Sequence, residues 1–490
     1  VNTGQADLVP DDRVDSPPRR PDPPSGLARF GRAALALVVL LCGLTLALGF
    51  ANKDRCTGSE FDAFGRSQPD FEIAKYSEAC YSDIQFLWIG RDVDRHVFPY
   101  VHGAINERGE LSGGTVEYPV LTGLLIWLGA MFVHTDAGFL LASALIMAPF
   151  GLLTAWLLAK LSRWRALIWA ATPPLVLYAF HNWELPVVFC AVAAVYVVQR
   201  GWGKRGADRP LRQRAFASAV LLGLGFAFKI YPAIFVLPLM LYVLTGGRGG
   251  AELAGGKARD WAGMVKVALV AMGTGIAANV PFALAGFDGW LASFVFQGQR
   301  QADITSNSIW YWALRPESDP GNEAVHQMVN VASPLLMFVA FGIACAFGWA
   351  RYRREGAYPW VAVSAAMLCG FLLLHKVHSP QYTLWLVPML VLLRVRWGWI
   401  VAYFVADLAM GVGIFLWFAA IADGTASGID DGFVAQLVMI GVWGRAGLLV
   451  GLFIVFLSAR TTFAEDDDGV RTPSPVPPGP PGGGVPAIQR

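Results

Sequence analysis

Long apolar runs recur along the chain, and polar residues gather between them and at both ends. The first run, AALALVVLLCGLTLALGF (Ala33 to Phe50), contains no charge and is close to the roughly 20 residues that cross a bilayer as a helix. It is long for a removable signal peptide, and no small-x-small cleavage site follows it cleanly, so it reads as a retained first span. The pattern predicts an all-α polytopic membrane protein with about 12 transmembrane helices.

Charge placement orients these spans. Arg19, Arg20, Arg29 and Arg32 precede the first run, which puts the N-terminus in the cytoplasm and residues 51–136 in a first outer loop. Within that loop, Pro119 to Val133 is apolar but short and opens on proline, which suits a helix lying in the membrane interface. Counting it as a span would send Lys160, Arg163 and Arg165 outside; leaving it out keeps them in the cytoplasm. The basic loops Gly201 to Arg214, Arg248 to Lys266 and Arg351 to Glu355, with Arg394 and Arg396, then all fall inside, and both termini are cytoplasmic. Residues 1–32 and 460–490, rich in Pro, Gly and charge, read as disordered tails around one membrane domain, 33–459.

Composition agrees. Of 490 residues 55% are apolar and only 15% charged, against about 25% charged in soluble domains. A net charge of +2 gives no basic surface for nucleic acid. Among the six cysteines, Cys42, Cys190, Cys345 and Cys369 lie inside apolar runs. Cys56 and Cys80 share the outer loop, where an oxidising environment predicts a disulfide between them. No C-x-x-C pair, phosphate-binding glycine loop or strand-linked G-x-G-x-x-G is present.

The outer segments hold the candidate chemistry. Asp83 precedes Arg91 and Arg95, so a carboxylate stands near cations, as a base must when it deprotonates an alcohol beside an anionic leaving group. Ser82 or Asp83 can equally serve as a helix cap. Asp92 and Asp94 form a D-x-D, which binds metal in some sugar enzymes and is otherwise a solvated acidic pair. Glu117 and Tyr118 either face a substrate cavity or favour a helix N-terminus. Lys229 interrupts a long apolar stretch, where an ammonium contacts a phosphate or snorkels to the interface. His375, Lys376 and His378 form a second cationic cluster without a third metal ligand, which suits phosphate contact or interface anchoring. Asp407 and Arg445, in the last two apolar runs, most simply pair with each other.

Taken in order, YSDIQ (Tyr81 to Gln85), EYPVLTGLL (Glu117 to Leu125), FKIYP (Phe228 to Pro232), NSIWYW (Asn307 to Trp312) and HSPQYTLW (His378 to Trp385) resemble the GT-C superfamily of polyprenyl-phosphate-sugar glycosyltransferases, and within it glycosyltransferase family 87. The resemblance implies a GT-C-like fold and a hexosyltransferase at the outer face of the plasma membrane, with Asp83 as catalytic base. It implies a polyprenyl-phosphate sugar donor, with mannose the family default, and a lipid or glycan acceptor among membrane lipids, with no cofactor or metal required. Lys229, Lys376, Arg91 and His378 become candidates for the donor phosphate, and Glu117, Tyr118, Asn307, Gln381 and Tyr382 for the substrate cavity. The competing readings are a transporter or flippase of lipid-linked sugars, whose polar groups would lie near the midplane in paired repeats, and an inactive membrane scaffold.

Overall fold

A computed structural model describes residues 30–463, except 69–70, 202, 204–208, 248–249, 251–252, 254–257, 315–321 and 426–431. The expected tails therefore lie largely outside the described residues, as do parts of the basic loops 201–214 and 248–266.

The protein is helical and polytopic. Among the described residues, six helices are long and apolar enough to cross a membrane: Arg32–Asp54, Asp136–Ala170, Trp261–Ala285, Glu323–Glu355, Trp397–Ala422 and Gly432–Ser458. This corrects the expected dozen. The other apolar runs are broken into shorter helices, Leu185–Arg200, Tyr231–Leu244, Trp360–Leu374 and Pro380–Leu392, with prolines 186, 232, 359 and 380 at or beside their starts. All ten residues of Thr383–Leu392 are buried, as are 12 of the 15 in Trp360–Leu374. A helix apolar on every side is buried in protein as readily as in lipid, so hydropathy alone overcounts spans. The long helices Trp261–Ala285 and Glu323–Glu355 instead expose most of their apolar surface.

The segment after the first helix is compactly built. It holds helices Phe71–Ser77, Asp83–Gly90 and Val120–Ala130 and two short antiparallel ribbons, Glu60–Phe61 with Ser67–Gln68 and Ala104–Ile105 with Leu111–Ser112. Val120–Ala130 extends only about 16 Å at 1.5 Å per residue, too short for a hydrocarbon core of about 30 Å. A buried ion pair anchors the segment: Arg66 Nη1 lies 3.2 Å from Asp136 Oδ2 and 2.5 Å from the Gln85 carbonyl oxygen, and the Ser67 hydroxyl donates to Asp136 Oδ1 at 2.5 Å. Cys56 and Cys80 are disulfide-bonded, with Cα atoms 5.9 Å apart.

Polar groups separate to two ends. Helix Asp136–Ser162 starts at the Arg66 pair and runs about 40 Å to Ser162, whose hydroxyl hydrogen-bonds that of Thr462. Near that far end Arg165 donates to the Leu390 and Leu393 carbonyls and Arg351 to Ala459. Asp83 lies at the opposite end, beside Gln85.

Asp407 and Arg445 are both buried but do not form the expected direct ion pair. The Thr383 hydroxyl donates to Asp407, while Arg445 donates to His378 and to the Asn307 carbonyl. Neutral polar groups thus take up Asp407 and two of the Arg445 nitrogens, while Arg445 Nε is left without a hydrogen-bond partner among the described residues.

Candidate active site

Asp83 opens the helix Asp83–Gly90, but Ser82 is the cap: its hydroxyl accepts from the Ile84 amide at 3.2 Å. The Asp83 carboxylate is thus left for other partners. Tyr81 donates to Oδ1 at 2.7 Å; Asn182 Nδ2 and the Tyr118 hydroxyl donate to Oδ2 at 2.5 and 3.3 Å. Three donors on about four acceptor positions leave one lone pair on Oδ1 open, and the side chain is partly exposed. Burial pushes the carboxyl above its usual range and the Glu117 charge adds to that, while the Tyr81 hydrogen bond, Lys229 and Asn182 pull it back. The Tyr81 and Tyr118 hydroxyls are themselves pushed well up, by burial first and then by Asp83, so both stay protonated donors.

Behind Asp83 lies a second layer. Lys229 follows the helix Leu211–Phe228 and is 7% exposed. Its ammonium donates to Glu184 Oε1 at 2.5 Å and Asn182 Oδ1 at 3.1 Å, and sits 5.0 Å from the centre of the Tyr118 ring. Glu184 Oε2 accepts from Trp385 Nε1 at 2.5 Å. Trp385 is stacked between Tyr231 and Tyr382, at 4.4 and 4.0 Å between ring centres, and Tyr382 is the partly exposed outer ring.

The remaining candidates divide. Arg91 Nε donates to Glu117 Oε2 at 2.8 Å, so each is occupied by the other. Asn307, Gln381 and His378 are buried. Burial and Arg445 hold His378 well below the usual imidazole range, which makes it neutral. Lys376 donates to Asn330 Oδ1 at 2.7 Å and the Gly298 carbonyl at 3.1 Å and has no carboxylate partner among the described residues. Burial and the nearby Arg300 lower its ammonium. Arg300, whose guanidinium makes a long contact to the Thr305 hydroxyl at 3.4 Å, also acts on Tyr382, as does Lys229. The Tyr382 hydroxyl lies within electrostatic reach of Lys229 and Glu184 as well as of Arg300. In the D-x-D, Asp92 accepts from the Gly113 amide and pairs with Arg95 at 3.3 Å. Among the described residues no three His, Cys, Asp or Glu side chains gather as a metal site.

Sequence reasoning missed Tyr81, Asn182, Glu184 and Arg300. The signal for two of them was HNWELP (His181 to Pro186), where polar side chains pack between two apolar runs just ahead of a helix-starting proline.

A polytopic helical protein with a clamped, partly exposed carboxylate at one end of the bundle is built as a membrane glycosyltransferase of the GT-C type. More particularly, the chain belongs to the mannosyltransferase (PIG-M) family, whose profile matches residues 174–443; the match is not specifically to glycosyltransferase family 87. The stretch includes Asn182, Glu184, Lys229, Arg300, Lys376 and Tyr382, and begins after Asp83. The GPI mannosyltransferase 1 of Trypanosoma brucei brucei is 22% identical over 326 residues, 64% of this chain and 68% of that one. Among solved structures, ArnT from Cupriavidus metallidurans bound to undecaprenyl phosphate has a TM-score of 0.41 at 14% identity, over 86% of this chain and 77% of that one. The apo Archaeoglobus fulgidus oligosaccharyltransferase has 0.36 at 10%, over 89% and 56%.

Proposed function

We propose that the protein transfers mannose from a polyprenyl-phosphate carrier to a hydroxyl of a lipid or glycan acceptor, at the outer face of the plasma membrane, with Asp83 as general base. The observation that carries this reading is the Asp83 carboxylate, held by Tyr81, Tyr118 and Asn182 with one Oδ1 lone pair open. A base needs reach to the proton it removes and a pKa not too far below the working pH; burial moves Asp83 in that direction.

The acceptor hydroxyl gives its proton to Oδ1 and its oxygen attacks the anomeric carbon. The carbon–oxygen bond to the carrier phosphate breaks, the phosphate leaves as an anion, and attack from the far face inverts the anomeric centre. Lys229 is already neutralised by Glu184, so the leaving phosphate is assigned instead to Lys376 and Arg300, which have no carboxylate opposite them among the described residues. The carrier's chain lies along the apolar faces of the spanning helices, which suits a donor arriving sideways from the membrane.

The test uses membranes containing the protein and labelled polyprenyl-phosphate sugars. Consumption of the mannose donor with label appearing in a lipid or glycan product supports the reading. Consumption of another sugar in its place, or movement of intact donor between leaflets without product, refutes it.

A further inference from the structure

Glu184 has no exposed surface and both its oxygens are committed, one to Lys229 and one to Trp385. It cannot touch substrate, yet it lies two hydrogen bonds behind Asn182, which touches the base. We propose that Glu184 is a positioning residue: by holding the Lys229 ammonium it fixes which way the Asn182 amide faces and keeps that ammonium off Asp83. This rests on the reading of Asp83 as the base.

The argument turns on the two ends of an amide, alike in shape and opposite in chemistry. Asn182 Oδ1 accepts from Lys229 at 3.1 Å and from the Trp183 amide at 2.6 Å. An ammonium only donates, so the oxygen must face Lys229. The Nδ2 group is thereby turned to Asp83 Oδ2 at 2.5 Å and the Tyr118 hydroxyl at 2.8 Å. The Tyr118 hydroxyl then has its own proton free for Asp83. The base is held through a closed triangle whose orientation Lys229 and the Trp183 amide set together from the Oδ1 side.

Lys229 stays there because Glu184 is its counter-ion. The charged and titratable groups around Asp83 are Lys53 from the first helix, Tyr81, Glu117, Tyr118, His181, Glu184 and Lys229. Glu117 is taken by Arg91. With Glu184 neutralised, Asp83 is the anion left for a buried Lys229 among these described groups. A direct ion pair favours the ionised carboxylate and weakens it as a base.

The experiment compares pH profiles of kcat/KM, whose acid limb reports the base in the free enzyme. Glu184→Gln is expected to move that limb down by about one pH unit and to lower kcat by about tenfold. A purely structural role would lower the amount of folded protein and leave the limb in place. An unmoved or upward-shifted limb overturns the proposal. Should Glu184→Gln not fold, Glu184→Gln/Lys229→Met also removes the stranded cation. It is expected to return the limb to within a few tenths of a unit of wild type while kcat stays about tenfold low, because the Trp183 amide alone is left to orient the Asn182 side chain; wild-type kcat in the folded double variant overturns the proposal. Asp83→Asn is assayed alongside. If it stays active, the base assignment fails and this inference with it; if it is inactive while Glu184→Gln behaves as wild type, the positioning role alone fails.

Discussion

The Arg445 guanidinium reaches across from the last helix to the His378 imidazole, and to the Asn307 carbonyl at 3.1 Å, so a buried cation ties together the two segments that precede and contain the HSPQY turn. Arg445→Met leaves both acceptors buried and unsatisfied. It is expected to cost about 2–3 kcal/mol, read as a lower thermal midpoint in detergent. Asp407→Asn keeps an oxygen for the Thr383 hydroxyl and is expected to cost under about 1 kcal/mol. The two charges act on each other without direct contact, so the double variant is expected to fall a few tenths of a kcal/mol short of the summed losses. A double variant more stable than Arg445→Met alone would show that the charges neutralise each other after all.

Asp83→Asn is expected to lower transfer by about 10² to 10⁴-fold with normal membrane insertion. Ser82→Ala separates capping from chemistry, since Ser82 caps the helix. It is expected to cost about 1 kcal/mol of stability and to retain most of the activity. The reverse pattern, an active Asp83→Asn and an inactive, stable Ser82→Ala, would remove Asp83 from the mechanism.

Sequence alone carried the polytopic helical class and singled out Asp83, Tyr118 and Lys229, because each is a polar residue beside an apolar run whose burial demands a reason. It failed where identity depends on a partner far along the chain. Lys229 reads as a free cation until Glu184, 45 positions earlier, is seen against it. Arg445 reads as the mate of Asp407 until His378 intervenes. The span count failed for a related reason: Thr383–Leu392 is as apolar as a lipid-facing helix, and only its packing shows that protein surrounds it.

The pH profile of the unaltered protein should carry the mark of the Asp83 site. Burial raises this carboxyl, so activity is expected to fall on acidification with a midpoint above the ordinary aspartate value of about 3.9. The Tyr81 hydrogen bond is the largest influence holding the carboxyl down. Tyr81→Phe removes it, favours the protonated form and should shift the acid limb of kcat/KM to higher pH. A shift to lower pH would mean that the limb reports another group.

The disulfide closes the segment directly ahead of the base: Cys80 is three residues before Asp83, and Lys53 donates to the Tyr81 carbonyl at 2.8 Å from the same helix end. Cys56→Ser/Cys80→Ser should lower stability by roughly 3 kcal/mol on the loop-entropy account. Thiol labelling of the unfolded, unreduced protein should find neither cysteine. Labelling of both would show that the bond does not form.

Lys376 and Arg300 provide the sharpest separation of donor binding from proton transfer. Among the described residues neither has a carboxylate partner, Arg300 lies near enough to act on the Lys376 ammonium, and it also acts on the Tyr382 hydroxyl. A leaving phosphate needs charge opposite it in the ground state and more so as its bond to the sugar breaks, so truncation should affect both binding and rate. Lys376→Met is expected to raise the donor KM by about tenfold and lower kcat by a similar factor, roughly 1.4 kcal/mol each. The acid limb set by Asp83 should stay where it is. Lys376→Arg keeps the charge and should recover most of the loss, whereas Lys376→Gln keeps a hydrogen bond without it and should not. Lys229→Met gives the contrast: it strands Glu184 and removes one of the two donors to Asn182 Oδ1, so it should lower kcat and move the acid limb upward, with little change in donor KM. If instead Lys229→Met raises the donor KM and Lys376→Met leaves it untouched, the phosphate sits over Lys229, and the Glu184 pair must open when the donor binds.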